Sequence, residues 1–546
     1  MTNGAVIEST FLTNSFYSGT GYRNRRVLTN VTSSYQSQRK TAKMLECVFN
    51  LWPESLITQA IIVGITAGFI TYHIFKKRPA LPPGPRGWPF IGNLREIQKG
   101  DPLELFSTWI EKYGPVITVK FGTWKVVILG RIDVVMEALV QKQEAFAGRP
   151  QTYSGDAFTA GSKDIVNGQY GPRWKLHRKL ASKALRQYMT SDNLPRKISQ
   201  SLNISTALML EEHGPIDPLP FISLAVFNIL YGMCFDKLCA DTKDETFTFL
   251  MDSLKGLVEN FGSGFLEDFI PLLRYCPTAK FRRQLKYIAA LTEHIKKEME
   301  EHKETFVYGQ SRDFADAMLA AQKEAIDEED PALLSQITDT HVVQTMGDVF
   351  FAGIDTTRNT LHWCLLVMAL NPDIQKKVQE EVDSVIGRDL NVSLSDRSRL
   401  PYTEAVLHET MRIRGIAPMG IPHETLYDTS VGGYELPKGT GVMIFHQGLH
   451  FDPDQWDNVN EFRPERFLDA SGKMAPKPKS WLPFSAGRRV CLGEIIARPD
   501  LHLVLAGMMR ACSVSLAPGE TNDFKPAIPG FACLPRSYKV VVESRS

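Results

Sequence analysis

A single cysteine lies between glycines near the carboxyl end of the chain, in a setting that favours a thiolate. Residues 484–493 read FSAGRRVCLG, and the EIIAR segment that follows has the pattern of a helix start. Free backbone N–H groups and the positive end of a helix dipole lower the pKa of a nearby thiol. A thiolate in such a place can bind haem iron. Cys491 is therefore a candidate metal ligand, although a lone cysteine is more often a small buried hydrophobe.

The residues around Cys491 suit a flat, anionic cofactor. Gly487 and Gly493 allow the backbone to turn tightly beneath such a group. Arg489 is placed to meet a carboxylate of the cofactor, such as a haem propionate. We interpret the whole segment from Phe484 to Gly493 as a candidate haem-binding loop.

A long apolar segment carries a second polar pair. His341 to Asn371 is typical of a helix of about 30 residues, which would be about 45 Å long. In its middle, the sequence FAGIDTT places small residues beside an acid, Asp355, and a hydroxyl, Thr356. A helical threonine can donate to a carbonyl one turn earlier and bend the helix. Alone, this pattern would indicate only a glycine and a threonine tolerated in a buried helix.

A third segment places an acid and a base on one helix face. Glu409 and Arg412 lie three residues apart within a predicted helix over 402–414. An exposed ion pair with this spacing would contribute little to stability.

Taken together, these segments resemble the cytochrome P450 family. The resemblance covers residues 79–542, and its strongest part is the haem-binding signature formed by Phe484, Gly487, Arg489, Cys491 and Gly493. It implies haem b as cofactor, Cys491 as the axial ligand of the iron, and Asp355 and Thr356 as the pair that relays protons to dioxygen. It also implies that Glu409 and Arg412 are buried and lock to Arg466, so that the three brace the cysteine loop.

Further haem contacts follow from the same resemblance. Trp174 and Arg178 lie four residues apart in a segment similar to the helix that grips the haem propionates. Arg149 and His423 match propionate contacts of the steroid-hydroxylase branch. The same helix would leave a basic face, made of Lys175, His177 and Lys179, for an acidic electron-donating flavoprotein. The implied partners are NADPH–cytochrome P450 reductase and, as a further candidate, cytochrome b5.

The first part of the chain predicts a membrane anchor. Residues 56–75 contain no formal charge and are long enough to span a hydrocarbon core of about 30 Å. Lys76, Lys77 and Arg78 follow at once, as expected of a cytoplasmic flank. We expect a single transmembrane helix within 44–78, in contact with membrane lipid, a proline-rich strut over 79–93 and the catalytic domain over 94–546. The domain would face the cytoplasm from the endoplasmic reticulum membrane.

The leader of residues 1–43 fits this picture less well. It is rich in Ser, Thr and Asn and resembles a disordered or transit-like segment. A mitochondrial location is therefore the alternative, and Met44 is a candidate for the natural start of the chain.

Composition agrees with a folded enzyme of mainly α structure. Of 546 residues, 62 are basic and 61 acidic, so the net charge of +1 gives no global field for nucleic acid. The eight cysteines show no spacing of a zinc module or disulfide framework. Helical patterns at 278–305 and 372–386 alternate with β-like runs at 115–121, 124–130 and 425–445. We expect a mainly α fold with a minor β region.

The implied reaction inserts one oxygen atom of dioxygen into a lipophilic substrate, with electrons from NADPH delivered through a reductase. The closest resemblance is to the animal microsomal branches of steroid 17-alpha-hydroxylase/17,20-lyase and of the aromatic-hydrocarbon monooxygenases, so a steroid-like substrate is one candidate. Against it, Leu254 and Leu291 align where the steroid hydroxylase offers polar groups. Two alternatives remain: an isomerase or dehydratase acting on a peroxide, and a non-catalytic haem sensor. Neither needs a proton relay or a reductase face.

Overall fold

The structure is a computed structural model that describes residues 81–189, 193–261, 264–387, 392–527 and 532–545, together with Gly64 and Gly68. Residues Pro79–Ser546 form one compact unit. The predicted leader over 1–43 and anchor over 44–78 lie outside the described residues, apart from those two glycines. Among the described residues, no helix combines the length and the apolarity needed to cross a bilayer.

Helices account for most of the described chain. In chain order they are α1 Leu94–Lys99, α2 Pro102–Tyr113, α3 Ile132–Met136, α4 Tyr153–Phe158, α5 Pro172–Met189, α6 Asn193–Glu211, α7 Leu219–Phe235, α8 Glu245–Phe261, α9 Leu266–Phe269, α10 Ala279–Thr305, α11 Phe314–Glu328, α12 Pro331–Leu334, α13 Asp339–Leu370, α14 Pro372–Val385, α15 Pro401–Ile413, α16 His446–His450 and α17 Glu494–Ala511. Short 3₁₀ turns cover Pro271–Arg274, Leu394–Arg399, Pro464–Phe467 and Gly487–Arg489, and a π-helical turn covers Glu137–Gln141. The prediction of a mainly α fold is confirmed.

The long central helix was predicted to within a few residues. Helix α13 has 32 residues and begins after Thr338, whose side chain forms a capping box with His341. It ends at Asn371, where Pro372 cannot continue the same helix. Most of its carboxyl-terminal half is buried in the main core, against α7 and α17.

Three small sheets make up the β region. Strands β1 Val116–Phe121, β2 Trp124–Leu129, β6 Gly441–Ile444 and β3 His423–Glu424 lie side by side in that order. Strands β4 Thr429–Val431 and β5 Tyr434–Leu436 form a hairpin, and β7 Cys512–Leu516 pairs with β8 Val540–Ser544. Strand β2 is parallel to β6, with Val126 opposite Gly441, so the sheet joins the two β regions predicted from the sequence.

The proline-rich segment is hydrogen-bonded to strand β1 of the sheet. The backbone N–H of Thr118 in β1 donates to the Pro83 carbonyl at 2.8 Å, and Asn93 donates through its own N–H to the Lys120 carbonyl at 2.7 Å. Gly84 lies so close to β1 that a Cβ atom there would be 2.1 Å from the Thr118 oxygen. The prolines deny this segment a helix, as expected, and the edge of the sheet holds it in place.

Candidate active site

The loop that carries Cys491 is shaped by one required glycine. The Cys491 N–H donates to the Phe484 carbonyl at 3.0 Å and closes the loop. Gly487 has a φ of 73°, and a Cβ atom at that position would lie 1.8 Å from the Leu139 oxygen. Gly493 has a different role: it caps α17 without steric pressure, since a Cβ there would only touch the Cys491 sulphur at 3.9 Å.

The Cys491 side chain is exposed although the surrounding protein desolvates it. Burial raises the pKa of this thiol, and the backbone N–H groups of Gly493 and Glu494 together with Arg178 act in the opposite direction. The donors predicted at the helix start are present, but burial outweighs them.

A second exposed surface lies in the middle of α13. Ala352 and Thr356 are exposed there, one turn apart, whereas Ile354, Thr357 and most residues after them are buried. The Thr356 hydroxyl donates to the Ala352 carbonyl at 2.7 Å, as the sequence predicted for a helical threonine. The exposed face is short, because most residues on the carboxyl-terminal side of it are buried.

Asp355 is not free beside Thr356. Its carboxylate accepts a hydrogen bond from Arg358 at 2.9 Å and one from the Asn359 amide at 3.2 Å. Because the ion pair with Arg358 is only slightly exposed, the carboxylate must exchange this partner before it can pass a proton to a neighbouring group.

Three arginines near the cysteine loop bind only carbonyl oxygens. Buried Arg489 donates to the carbonyls of Ala147, Ile165 and Gly168, at 2.8, 3.2 and 2.7 Å. Buried Arg149 donates to those of Val166, Ile421 and Pro422, and half-buried Arg178 to that of Val490. Within the described chain, none of the three forms an ion pair with a carboxylate.

Burial and mutual repulsion lower the pKa values of these arginines. Burial lowers the pKa of Arg489 to about 8, and repulsion from Arg149 and Arg178 adds to the effect. Burial likewise lowers the pKa of Arg149 to about 10. Buried charges are costly unless an opposite charge accompanies them. The arrangement therefore fits a ligand that brings negative charges, as a haem does with its propionates.

Trp174 and His423 lie beside the arginines. Trp174 is buried and donates through Nε1 to the Ile165 carbonyl at 2.9 Å. The Arg489 guanidinium stacks on the Trp174 ring, with its central carbon 4.1 Å from the ring centroid. His423 is buried with Nδ1 2.8 Å from the Phe146 carbonyl, and burial with repulsion from Arg149 lowers its pKa well below the usual value. A neutral His423 that donates from Nδ1 has no proton on Nε2, so it would bind a propionate only after gaining one.

Behind the loop, Glu409, Arg412 and Arg466 form the buried cluster that the sequence suggested. Arg412 donates to both carboxylate oxygens of Glu409 at 2.8 Å, and Arg466 Nε donates to Glu409 Oε1 at 3.0 Å. Arg412 also donates to the His450 and Val459 carbonyls at 2.9 Å. The cluster thus ties α15 to the segments that follow α16.

The predicted basic face on α5 requires a correction. His177 is buried, and its Nε2 lies 2.6 Å from the Thr345 hydroxyl on α13. Burial lowers the pKa of His177 to about 4, so it carries no charge at neutral pH. Its spacing from Trp174 and Ala181 places it on the buried stripe of the helix, and this hydrophobic periodicity overrides its basic neighbours.

The two lysines predicted for this face are exposed, and acids accompany both. Lys175 lies 3.3 Å from Glu144 and Lys179 lies 2.5 Å from Glu329. Nearby, a cleft of about 600 Å³ opens beside Cys491 and is lined by Arg178, Arg186, Arg397 and Arg498 among others.

Sequence reasoning missed the segment of residues 164–168. Its carbonyl oxygens at Ile165, Val166 and Gly168 receive hydrogen bonds from Trp174, Arg149 and Arg489. Backbone acceptors leave no side-chain signature, so only the fold reveals them. The segment also contributes Asp164, which the sequence did not single out.

Comparison with known proteins adds independent findings. The family model described as Cytochrome P450 matches residues 82–542. Cytochrome P450 1A1 of Rattus norvegicus is 34% identical over 467 residues, which are 82% of this chain and 87% of that protein. Steroid 17-alpha-hydroxylase/17,20 lyase of Ictalurus punctatus is 33% identical over 494 residues, 89% of this chain and 95% of that protein. A solved zebrafish cytochrome P450, titled as a structure with progesterone, superposes with a TM-score of 0.73 at 31% identity, covering 82% of this chain and all of that one.

Proposed function

The chain belongs to the cytochrome P450 family, and we propose that it is a membrane-anchored haem-thiolate monooxygenase in which Cys491 binds the haem iron. The carrying observation is an exposed thiol in a desolvated loop, next to buried arginines that form no ion pair with any carboxylate of the described residues. The net reaction converts R–H, dioxygen, NADPH and a proton into R–OH, water and NADP⁺. The NADPH electrons arrive through a reductase.

Haem b is the cofactor, and when bound it supplies the iron at which dioxygen is reduced. Cys491 would give up its proton to bind the iron as a thiolate, helped by the N–H groups of Gly493 and Glu494. Arg149, Arg178 and Arg489 would hold the propionates, with Trp174 beneath Arg489. Gly487 keeps the loop in the turn that presents Cys491.

Protons would reach the oxygen site through Thr356 and Asp355. The exposed Thr356 hydroxyl donates its own hydrogen to the Ala352 carbonyl, so its oxygen is left to accept a hydrogen bond from a proton donor. Asp355 is the only acid adjacent to it in the chain, and release of its ion pair with Arg358 would let it pass protons inward. We propose Asp355 and Thr356 as the catalytic pair on these grounds.

From the names of the similar proteins we infer a lipophilic substrate, and a steroid-like skeleton is one candidate. The similar curated proteins include steroid 17-alpha-hydroxylases and cytochromes P450 1A1, and the zebrafish structure is titled with progesterone. Leu254 and Leu291 are both buried in the main core of this chain. If they border the substrate, apolar residues at these positions favour a substrate whose far end is apolar as well.

Electron delivery is proposed to involve NADPH–cytochrome P450 reductase, with cytochrome b5 as a second candidate. Arg178 in the cleft beside Cys491, together with Lys175 and Lys179, offers positive charge to an acidic partner. Arg397 and Arg498 in the same cleft already pair with Glu404. The lysines are already paired with acids, so the partner would have to replace these weak surface contacts.

The apolar segment 56–75 is proposed to anchor the protein in the endoplasmic reticulum membrane, with Lys76, Lys77 and Arg78 on the cytoplasmic side. The leader over 1–43 would then be dispensable. Localisation of fluorescently tagged chains that begin at Met1 and at Met44 tests this. We expect both in the endoplasmic reticulum; mitochondrial import of both would contradict the assignment.

The activity itself is tested by reconstitution with reductase and NADPH in lipid. We expect NADPH-dependent incorporation of one ¹⁸O atom from ¹⁸O₂ into a lipophilic test compound. Conversion of an organic peroxide without NADPH, and no incorporation from dioxygen, would instead favour an isomerase or dehydratase.

A further inference from the structure

Two aromatic rings lead from Arg489 of the cysteine loop to the protein surface. Buried Trp174 lies against the Arg489 guanidinium, and the ring centroid of Tyr170 is 5.4 Å from that of Trp174. Tyr170 is half-buried, and its hydroxyl donates to the carboxylate of exposed Glu144 at 2.8 Å. Indole and phenol are the ring side chains that lose one electron most readily. The pair therefore forms a path for single electrons between the candidate haem site and solvent.

The charges around Trp174 disfavour a lasting positive charge on its ring. Its Nε1–H donates to the Ile165 carbonyl at 2.9 Å, and a carbonyl oxygen is too weak a base to remove this proton. After the loss of one electron the indole would therefore stay positively charged. The guanidinium groups of Arg489 and Arg178 lie 4.1 and 5.5 Å from the ring centroid, where like charges repel. An oxidised Trp174 is thus driven to take an electron from its neighbour.

Tyr170 differs from Trp174 because its hydroxyl is hydrogen-bonded to a base. The hydrogen bonds from Tyr170 and Lys175 lower the pKa of Glu144, so its carboxylate is ionised at neutral pH. An oxidised phenol is a strong acid and passes its proton to this carboxylate. The ring is then a neutral radical, which the Lys175 ammonium, 4.8 Å from the ring centroid, does not repel. Of the two rings, Tyr170 is therefore the one on which the oxidation comes to rest.

Tyr170 is also open to a reductant from solution. A surface cleft of about 700 Å³ is lined by Tyr170 and Trp174 among others. A cleft of this volume admits a small molecule such as a thiol. The phenol therefore combines a proton acceptor, a path inward and access from outside.

We propose that Trp174 and Tyr170 give the protein a second activity, the thiol-dependent reduction of hydrogen peroxide in the absence of substrate. The inference rests on the proposed haem-thiolate function. Tyr170 gives one electron through Trp174 to the cofactor and its proton to Glu144, and a thiol then returns a hydrogen atom to Tyr170. Two such rounds convert one hydrogen peroxide and two thiols into two waters and one disulfide, since the two sulphur radicals combine. Glu144, being exposed, returns each proton for the formation of water.

The test is electron paramagnetic resonance of the substrate-free holoprotein, frozen shortly after it is mixed with hydrogen peroxide. We expect a radical in the wild type whose spectrum narrows when the protein contains ring-deuterated tyrosine, which identifies a tyrosyl radical. In Tyr170→Phe this radical should be lost, because a phenyl ring is far harder to oxidise than a phenol. The matched control Tyr427→Phe removes an exposed phenol just before β4 and should keep the radical.

Two further measurements separate electron transfer from a merely structural role. Glu144→Gln keeps a hydrogen-bond acceptor but not a base, so the radical should form about tenfold more slowly or worse. Glutathione disulfide formed per hydrogen peroxide consumed should fall in Tyr170→Phe to the level of free haem. The same ratio should be unchanged in Tyr427→Phe.

A tyrosyl radical of unchanged yield in Tyr170→Phe, or no tyrosyl radical in the wild type, would overturn the inference. An unchanged rate in Glu144→Gln would overturn the role of Glu144 as the base. The carbon monoxide spectrum of the same preparations separates the two proposals. A wild type without a thiolate spectrum overturns the proposed function, whereas a thiolate spectrum without a radical at Tyr170 overturns this inference alone.

Discussion

Arg489 and Trp174 share one acceptor, the carbonyl oxygen of Ile165. The Trp174 ring nitrogen lies 2.9 Å from this oxygen and the Arg489 guanidinium 3.2 Å, while the guanidinium stacks 4.1 Å from the ring centroid. Three separate parts of the chain thus meet at one buried cation: the 164–168 segment, helix α5 and the cysteine loop. No carboxylate of the described residues pairs with this cation, so a haem propionate would bring it a negative charge.

Arg489→Leu should therefore weaken haem binding far more than it weakens the protein without haem. The substitution removes the positive charge that a propionate would meet, and it also removes a buried unpaired charge. We expect haem to transfer to apomyoglobin about tenfold faster or more. The matched control is Arg488→Leu, whose neighbouring guanidinium is exposed near Glu144. Equal transfer rates for the two variants would contradict a propionate role for Arg489.

Thr356→Ala should keep the thiolate spectrum but uncouple NADPH consumption from product formation. The variant removes the hydroxyl that donates to the Ala352 carbonyl, so the proposed proton relay loses one of its two groups. We expect the ratio of product formed to NADPH consumed to fall by about tenfold, with hydrogen peroxide released instead. Thr356→Ser, which keeps a hydroxyl, should restore most of the coupling. Full coupling in Thr356→Ala would refute the relay.

Glu409→Gln should destabilise the domain. Its carboxylate is the anion shared by Arg412 and Arg466, and all three side chains are almost completely buried. Removing one partner of a buried ion pair leaves the others uncompensated and costs about 3–5 kcal/mol of unfolding free energy. Urea unfolding followed by the Soret band measures this. The exposed Glu461→Gln should change the unfolding free energy by less than about 0.5 kcal/mol.

Asp500 should make stability fall with rising pH. Burial raises its pKa to about 8, and one carboxylate oxygen has no hydrogen-bond partner among the described residues. The folded protein therefore holds a proton that the unfolded chain releases near pH 4, so this group reduces stability progressively from about pH 4 to pH 8.

Asp500→Asn stays neutral and should remove that contribution. Its gain in unfolding free energy over the wild type should be larger at pH 8 than at pH 5, by about 2 kcal/mol or more. Urea unfolding at the two pH values measures this difference. The exposed Asp373→Asn is the control, for which the difference should not depend on pH in this way. An equal difference at both pH values would show that Asp500 is charged in the folded protein.

Local sequence patterns predicted much of the site. The cysteine loop, the central helix and the Glu409–Arg412 pair each depend on short, fixed spacings, and the structure contains a closed loop, a helix and an ion pair at the predicted residues. The β-like runs at 115–121 and 124–130 and the helices predicted over 278–305 and 372–386 agree with β1, β2, α10 and α14 to within one residue at each end, because their hydrophobic periods are regular.

What the sequence could not predict depends on contacts distant in the chain. His177 was placed on a basic face because its neighbours are lysines, but the fold buries it against Thr345. The carbonyl acceptors of 164–168 have no side-chain signal, and the hydrogen bond from the Ile165 N–H to Asp348 forms only because that segment lies against α13. The ion pair of Asp355 with Arg358 follows from helical spacing and could have been inferred from the sequence.

The most direct test of the central claim is the absorption spectrum of the reduced protein with carbon monoxide, for the wild type and for Cys491→Ser. A Soret band strongly shifted to the red in the wild type and absent from the variant is the predicted result, because only a thiolate ligand produces it. Folded wild-type protein that takes up no haem, or the same band without Cys491, would contradict the assignment of this cysteine as the iron ligand.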